Sequence, residues 1–189
     1  MLTDTLSTKD RLLRAALKIV ARDGMGAATT AAIAAETGVA EGTLYRHFPS
    51  KDDLLIEAYR RLKGEVFTAI SEAGDGDGPP TERLKRLWLT LLNAYRSDTE
   101  AFTYGQRFAE SALSEREGGA AHERIQAALT RLRDAGVAEG VFKNLPTDIL
   151  SNLFFGPVGY MVKSEIKGRA WSEAELDMAA DAVVDAWRA

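Results

Sequence analysis

Cysteine is absent from this chain of 189 residues. That excludes a disulfide framework, a thiolate nucleophile and a Cys-ligated metal site. Histidine is almost absent too: His47 and His122 are the only two, and there is no HExxH pair. The one glycine-rich stretch, GDGDGPP at 74–80, reads as a flexible, acidic, Pro-terminated loop. It is no phosphate loop, because no strand precedes it and no lysine follows. Carboxylates are plentiful, but at spacings that read as solvated helix faces. An enzyme is therefore not expected, and neither a cofactor nor a metal is implied. No apolar run reaches the roughly eighteen residues that a membrane-crossing helix needs. The opening MLTDTLSTKDR lacks the apolar core of a signal peptide. A reducing cytoplasm is the expected compartment.

A surplus of basic charge is missing as well. The formal net charge is −4, which argues against a nucleic-acid partner until it is divided along the chain. Residues 1–61 hold nine Lys/Arg against eight Asp/Glu, and residues 62–189 hold fifteen against twenty. The excess acid lies in the later part. Because non-specific affinity scales with the phosphates neutralised, a near-neutral N-terminal part predicts weak non-specific DNA binding.

What is present is helix. Apolar residues make up 46% of the chain, and they recur at helical rather than alternating spacing. An all-α fold of about nine helices is the expectation. The patterns place helices over about 8–22, 31–36, 41–48, 51–71, 81–97 and 99–113. Further ones follow the EREGG loop (115–119) to about 135, then cover 147–167 and 172–188. Gly24 reads as the stop of the first. Ser172 and Glu175 have the spacing of a capping box at the start of the last. Gly156-Pro157-Val158-Gly159 should bend or loosen the helix that contains it. The string GVAEG occurs twice, at 38–42 and 136–140. The second copy runs into VFKNLP and reads as a helix end and a connecting loop.

Residues 29–55, TTAAIAAETGVAEGTLYRHFPSKDDLL, carry the functional signal. Two short helices meet at Thr37-Gly38-Val39, where glycine supplies the positive φ of a sharp turn. This is the pattern of a DNA-binding helix-turn-helix, whose second helix enters the major groove. At about 100° per residue, Leu44 and Phe48 share the face that meets Ile33, Ala34 and Val39. Gly42 and Arg46 point the opposite way, flanked by Thr43 and Tyr45. That outward face is small at its start and then carries a cationic fork suited to guanine or phosphate. His47 and Lys51 fall where the duplex backbone would run. Ser50 is placed to cap the next helix, with Asp53 at its third position.

The run GVAEGTLYRHFPSKDDLL closely resembles the N-terminal signature of the TetR (tetracycline repressor) family of bacterial transcription regulators, over about residues 9–59. FFGPVGYM (154–161) is similar to the corresponding helix of one subgroup of that family. The resemblance implies a homodimer with a DNA-binding domain at 1–50 and an effector-binding and dimerisation domain at 51–189. The DNA-facing residues it implies are Thr29, Thr30, Glu41, Gly42, Thr43, Tyr45, Arg46, His47 and Lys51. Of these, Tyr45 and His47 would mostly contact phosphates, with Arg46 and residues 41–43 nearest the bases. The chain departs from the pattern at Ala40, where the family usually has a capping serine. Its absence costs about 1 kcal/mol locally. Glu41 would repel phosphate unless it accepts from a cytosine amine.

In the family, the last two helices of each subunit form a four-helix dimer interface. Here that implies Leu153, Phe154, Val158 and Met161 on one helix and Leu176, Ala180, Val183 and Trp187 on the other, unless they are core within one chain. Two readers related by a two-fold axis would bind a palindromic double-stranded operator, each reading one half-site. A small-molecule effector is implied too. Its candidate lining is Phe67, Trp88, Leu91 and Tyr95, then Phe102, Tyr104 and Phe108, then Phe155 and Met161, with Arg107 or Glu110 as polar anchors. Such a lining suits an apolar or aromatic molecule, although aromatic stripes at this spacing also serve as plain core. The expected function is a regulator, most simply a repressor. The alternative is a helical ligand-binding or interaction dimer with a degenerate DNA reader.

Overall fold

The computed structural model describes residues 6–74 and 77–189, the side chains at 73, 74 and 120–122 excepted. Residues 75–76 of the GDGDGPP loop, the first five residues of the N-terminus and the side chain of His122 therefore lie outside the described residues. Among those described there are ten α-helices. The only sheet-like pairing among the described residues is an isolated bridge between Phe142 and Arg188.

By packing, the chain divides into two compact units, 1–63 with 100–119 and 64–99 with 120–189. This division falls elsewhere than the functional boundary at residue 50 expected from the motif.

The first unit opens with α1, Thr8–Asp23, capped by the Ser7 hydroxyl, which accepts from the Asp10 amide. Its stripe Leu12, Leu13, Ala16, Ile19 and Val20 is buried. Gly24, at φ 95°, ends it as expected. A single 3-10 turn, Met25–Ala27, leads to α2, Thr30–Thr37, and α3, Glu41–His47. Then α4 begins, spanning Lys51–Gly74. Its residues up to Lys63 belong to this unit and the rest to the second. Leu54, Leu55, Ala58 and Leu62 are buried, as are Phe102, Tyr104 and Phe108 of α6, Thr99–Ala109.

The segment after α6 corrects the expected pattern. A short extra helix, α7, spans Leu113–Glu117 where EREGG reads as loop. Only Gly118 and Gly119 turn, at φ 82° and 75°. The cause is Glu117, whose carboxylate is buried. It accepts from the Gly119 amide at 3.0 Å and faces Arg60 Nε at 3.4 Å. Arg60 Nη2 also donates to the Glu117 carbonyl. A buried, paired carboxylate fixes this segment, and no helical periodicity announces it.

The second unit contains α5 (Pro80–Ser97), α8 (Ala120–Ala138), α9 (Thr147–Ile166) and α10 (Glu173–Trp187). Packing centres on α5, which touches the other three through Leu84, Leu87, Trp88, Leu91 and Leu92, all buried. The Trp88 indole N–H donates to the Phe154 carbonyl at 3.0 Å. That satisfies a buried donor and ties α5 to α9. Arg96 on α5 pairs with Glu165 on α9 at 2.9 Å. Helix α9 runs unbroken through Pro157. The capping box at Ser172 and Glu175 is present in both directions.

Candidate nucleic-acid interface

Helix α2 starts on Thr29, whose hydroxyl accepts from the Ala32 amide at 3.1 Å. It ends at Gly38, a left-handed cap at φ 72° whose N–H returns to Ala34 and Ala35. The Val39 amide donates to the Ala34 carbonyl at 3.0 Å. These bonds satisfy the end of α2 and set the angle at which α3 leaves. The Arg11 guanidinium of α1 donates to the Thr37 carbonyl, and the Thr37 hydroxyl donates to Ile33. Arg11 thus holds the turn from a position 26 residues away, and no local pattern marks it for that task.

The inner face of the motif packs as expected. Ile33, Ala34, Leu44 and Phe48 are buried, and Val39 is half-buried. The outer face is open. Glu41, Gly42, Tyr45, Arg46 and His47 are exposed, as is Thr29, while Thr30, Thr43 and Lys51 are half-buried. Tyr45 has 56% of its surface in solvent, unusual for a large aromatic residue on a short helix with a buried opposite side. Among the described residues, the side chains of Tyr45, Arg46 and Lys51 have no hydrogen-bond or ion-pair partner. Ala40 provides no side-chain cap for α3. Thr30 and Glu41 are brought together across the turn, the threonine hydroxyl donating to Glu41 Oε1.

The start of α4 completes this surface. The Ser50 hydroxyl accepts from the Asp53 amide at 3.2 Å and donates to its carboxylate at 2.6 Å. Asp52 is paired with Arg116 of α7 at 2.6 Å. Asp52 is thus neutralised by Arg116, whereas Asp53, bonded only to Ser50, keeps its negative charge at the same helix start as Lys51. Arg116 is invisible to sequence reasoning because it lies 64 residues away.

The residues singled out for an effector divide between the two units: Phe102, Tyr104 and Phe108 lie in the first, and Phe67, Trp88, Leu91, Tyr95, Phe155 and Met161 in the second. Trp88, Leu91, Phe102, Tyr104, Phe108 and Met161 are buried. The Tyr104 hydroxyl donates to the Leu55 carbonyl, and burial pushes its pKa well above the ordinary phenol value. Phe108 stacks on Tyr59 at 4.2 Å. Arg107 donates to the Val20 carbonyl at 2.6 Å, capping the end of α1. It is a structural cation. Phe67, Tyr95 and Phe155 remain half-buried.

Most of the residues assigned to a dimer face are buried in the single chain. Except for Leu153, all of them are buried within a single chain: Phe154, Val158, Met161, Leu176, Ala180, Val183 and Trp187 pack α9 and α10 into their own unit. A helical stripe of apolar residues identifies a buried face but not what buries it. The large apolar residues these two helices leave in solvent are Ile149, Leu153, Tyr160, Ile166 and Met178.

A buried inner face, a glycine-turned pair of helices and an open outer face define a helix-turn-helix reader in an all-helical protein. Comparison with known proteins agrees. Residues 12–58 match the bacterial regulatory proteins of the tetR family, and residues 79–189 match the tetracyclin repressor-like C-terminal domain. The chain belongs to the TetR family of DNA-binding transcription regulators, a family of regulators rather than enzymes. Among curated relatives, the HTH-type transcriptional repressor KstR of Mycolicibacterium smegmatis is 35% identical over 109 residues, covering 56% of this chain and 53% of that protein. The chain thus spans about half the length of the first curated relatives it matches. A TetR family transcription regulator from Marinobacter aquaeolei VT8 superposes with a TM-score of 0.87 at 24% identity, over 96% of this chain and 95% of that one. FadR from Bacillus subtilis, solved in complex with stearoyl-CoA, superposes with a TM-score of 0.77 at 18% identity, over 93% and 95%. At these identities the two structures establish the shared fold. No helix among the described residues is long and apolar enough to cross a membrane.

Proposed function

We propose that this protein is a cytoplasmic repressor that binds a palindromic operator as a homodimer and is released by an apolar or aromatic small molecule. The observation that carries the reading is the outward face of α3 and the start of α4. There Tyr45, Arg46 and Lys51 stand without hydrogen-bond or ion-pair partners among the described residues, beside a buried Leu44 and Phe48. Unpartnered cations on a rigid helix are placed for phosphates and guanine edges. One such helix reads only a few base pairs, so specific affinity requires a second copy.

The surface for that second copy is the outer face of α9 and α10. Ile149, Leu153 and Tyr160 fall within about 40° of one another at 100° per residue. Met178 is 69% exposed on α10. An exposed apolar stripe of this kind marks an interaction surface. For the effector, Phe67, Tyr95 and Phe155 are the candidates not already committed to the core, and all belong to the second unit. FadR is solved with stearoyl-CoA, whose long acyl chain is apolar although its CoA part is a charged nucleotide; the acyl part is what supports an apolar lining here. Helix α4 has residues in both units, so a ligand preferring one position of this helix would bias the spacing of the two readers.

Selection from a random duplex pool, followed by titration of Arg46→Ala on the enriched sequence, tests the reading. The expected result is an enriched palindrome, with affinity in the variant reduced by about 1–3 kcal/mol and base preference relaxed at the contacted position. A folded dimer that enriches no sequence would instead favour a ligand-binding dimer with a degenerate reader, the reading that the uncapped Ala40 favours.

A further inference from the structure

Glu41 is the unexpected group on the reading face. A carboxylate facing phosphates is repelled, and α3 already lacks a side-chain cap. Yet Glu41 is not a loose surface acid. It is exposed, it has no ion-pair partner among the described residues, and the Thr30 hydroxyl donates to its Oε1. Thr30 is the first residue of α2 and Glu41 the first of α3, so this bond spans the motif. It occupies one carboxylate oxygen and leaves Oε2 as an oriented acceptor. Next to it, a side-chain carbon added at Gly42 would meet nothing within 4 Å, and Gly42 needs no positive φ. Packing within the chain therefore does not require a glycine there. Its absent side chain gives the neighbouring carboxylate close access to a surface outside the protein.

We infer that Glu41, positioned by Thr30, selects cytosine at one position of each half-site; the inference rests on the DNA-reading function proposed above. The major-groove edges of guanine and thymine present acceptors, which repel a carboxylate. Adenine pairs its N6 donor with the N7 acceptor. Cytosine presents only its N4 amine, which a fixed Oε2 can accept. The Thr30 bond restricts the carboxylate before binding, so less rotamer freedom is lost on contact. Glu41 is thus a specificity residue and Thr30 a positioning residue.

The test is selection from a random duplex pool with the full-length protein and four variants, each checked for an unchanged melting temperature. Wild type should require cytosine at one position per half-site, with roughly ten-fold weaker binding to any other base there. Glu41→Ala should lose that preference and keep every other one. Glu41→Gln should move it toward adenine, whose N6 and N7 match an amide. Thr30→Val should weaken the preference, and Thr30→Ser, which keeps the hydroxyl, should retain it. If Glu41→Ala keeps every base preference, or binds all sequences uniformly more tightly, Glu41 only repels phosphate and the inference is overturned. If wild type selects no sequence at all, the DNA-reading function and this inference fall together, an outcome distinct from the first two.

Discussion

Gly136 and Gly38 open the two copies of GVAEG, and their surroundings give them opposite tasks. Gly38 turns the chain at φ 72° with nothing near its missing side chain. Gly136 is helical, and a carbon added there would lie 2.0 Å from Phe142 Cδ2. Its carbonyl also accepts from the amides of Val141 and Phe142, so the 141–142 segment folds back onto the helix at its one described residue without a side chain. Phe142 then meets Trp187 edge-on at 5.5 Å. Alanine usually stabilises a helix relative to glycine by about 1 kcal/mol. At Gly136 the overlap outweighs that gain, and Gly136→Ala should lower unfolding stability by about 1–3 kcal/mol, read from urea melts. Gly42→Ala is the contrasting case. It should raise stability by about 0.5–1 kcal/mol while weakening operator binding, because the added methyl faces the groove. Equal effects of the two substitutions on stability would contradict this account.

At the scale of elements, caps separate the helices that stand on local sequence from those that depend on packing. Helix α10 carries a reciprocal capping box, and hydrogen bonds from the Ser172 backbone and side chain, with Arg169 alongside, hold the Glu175 carboxyl below its ordinary pKa. A carboxylate depressed in the folded state contributes stability above its unfolded pKa and loses it as pH falls through the folded value. Wild type should therefore be more stable than Glu175→Ala near neutral pH, and the difference should shrink below about pH 4. Denaturant midpoints of both proteins across this range check it; a difference that stays constant or grows in acid would contradict the capping role. Helix α3 has no such support. It is held by Leu44 and Phe48 against α2 and by the bonds that fix the Gly38 turn, so its orientation depends on packing in the first unit.

For the whole molecule, the proposed dimer makes the sharpest demand. Apolar residues of α9 and α10 are used twice, Phe154 and Trp187 inside the chain and Leu153 and Met178 outside it. Leu153→Asp with Met178→Asp should leave the helical content and melting of the protomer nearly unchanged, since both side chains are exposed. It should shift sedimentation velocity to the monomer and abolish high-affinity binding to a two-half-site operator. A variant that remains dimeric would move the interface elsewhere on the surface. The same substitutions at Phe154 and Trp187 should instead unfold the protein, because a charge at a buried, unpaired position costs several kcal/mol.

The sequence by itself determined the helical class, the turn at Gly38, the inner face of the reader and the family. Each depends on residues within a few positions of one another: a 3.6-residue period, a glycine at a left-handed cap, or an unbroken motif. It also determined which residues of α9 and α10 are apolar, but not which of them face outward. Tertiary structure decided what lies across the chain. It placed Arg107 at the end of α1, Arg11 on the turn, Arg116 beside Asp52, and the Glu117 carboxylate where it fixes an extra helix. It also used most of the expected dimer stripe and much of the aromatic set as core. Periodicity reports that a face is buried, because burial of apolar area drives both packing within a chain and association between chains. Only the positions of the other helices separate the two.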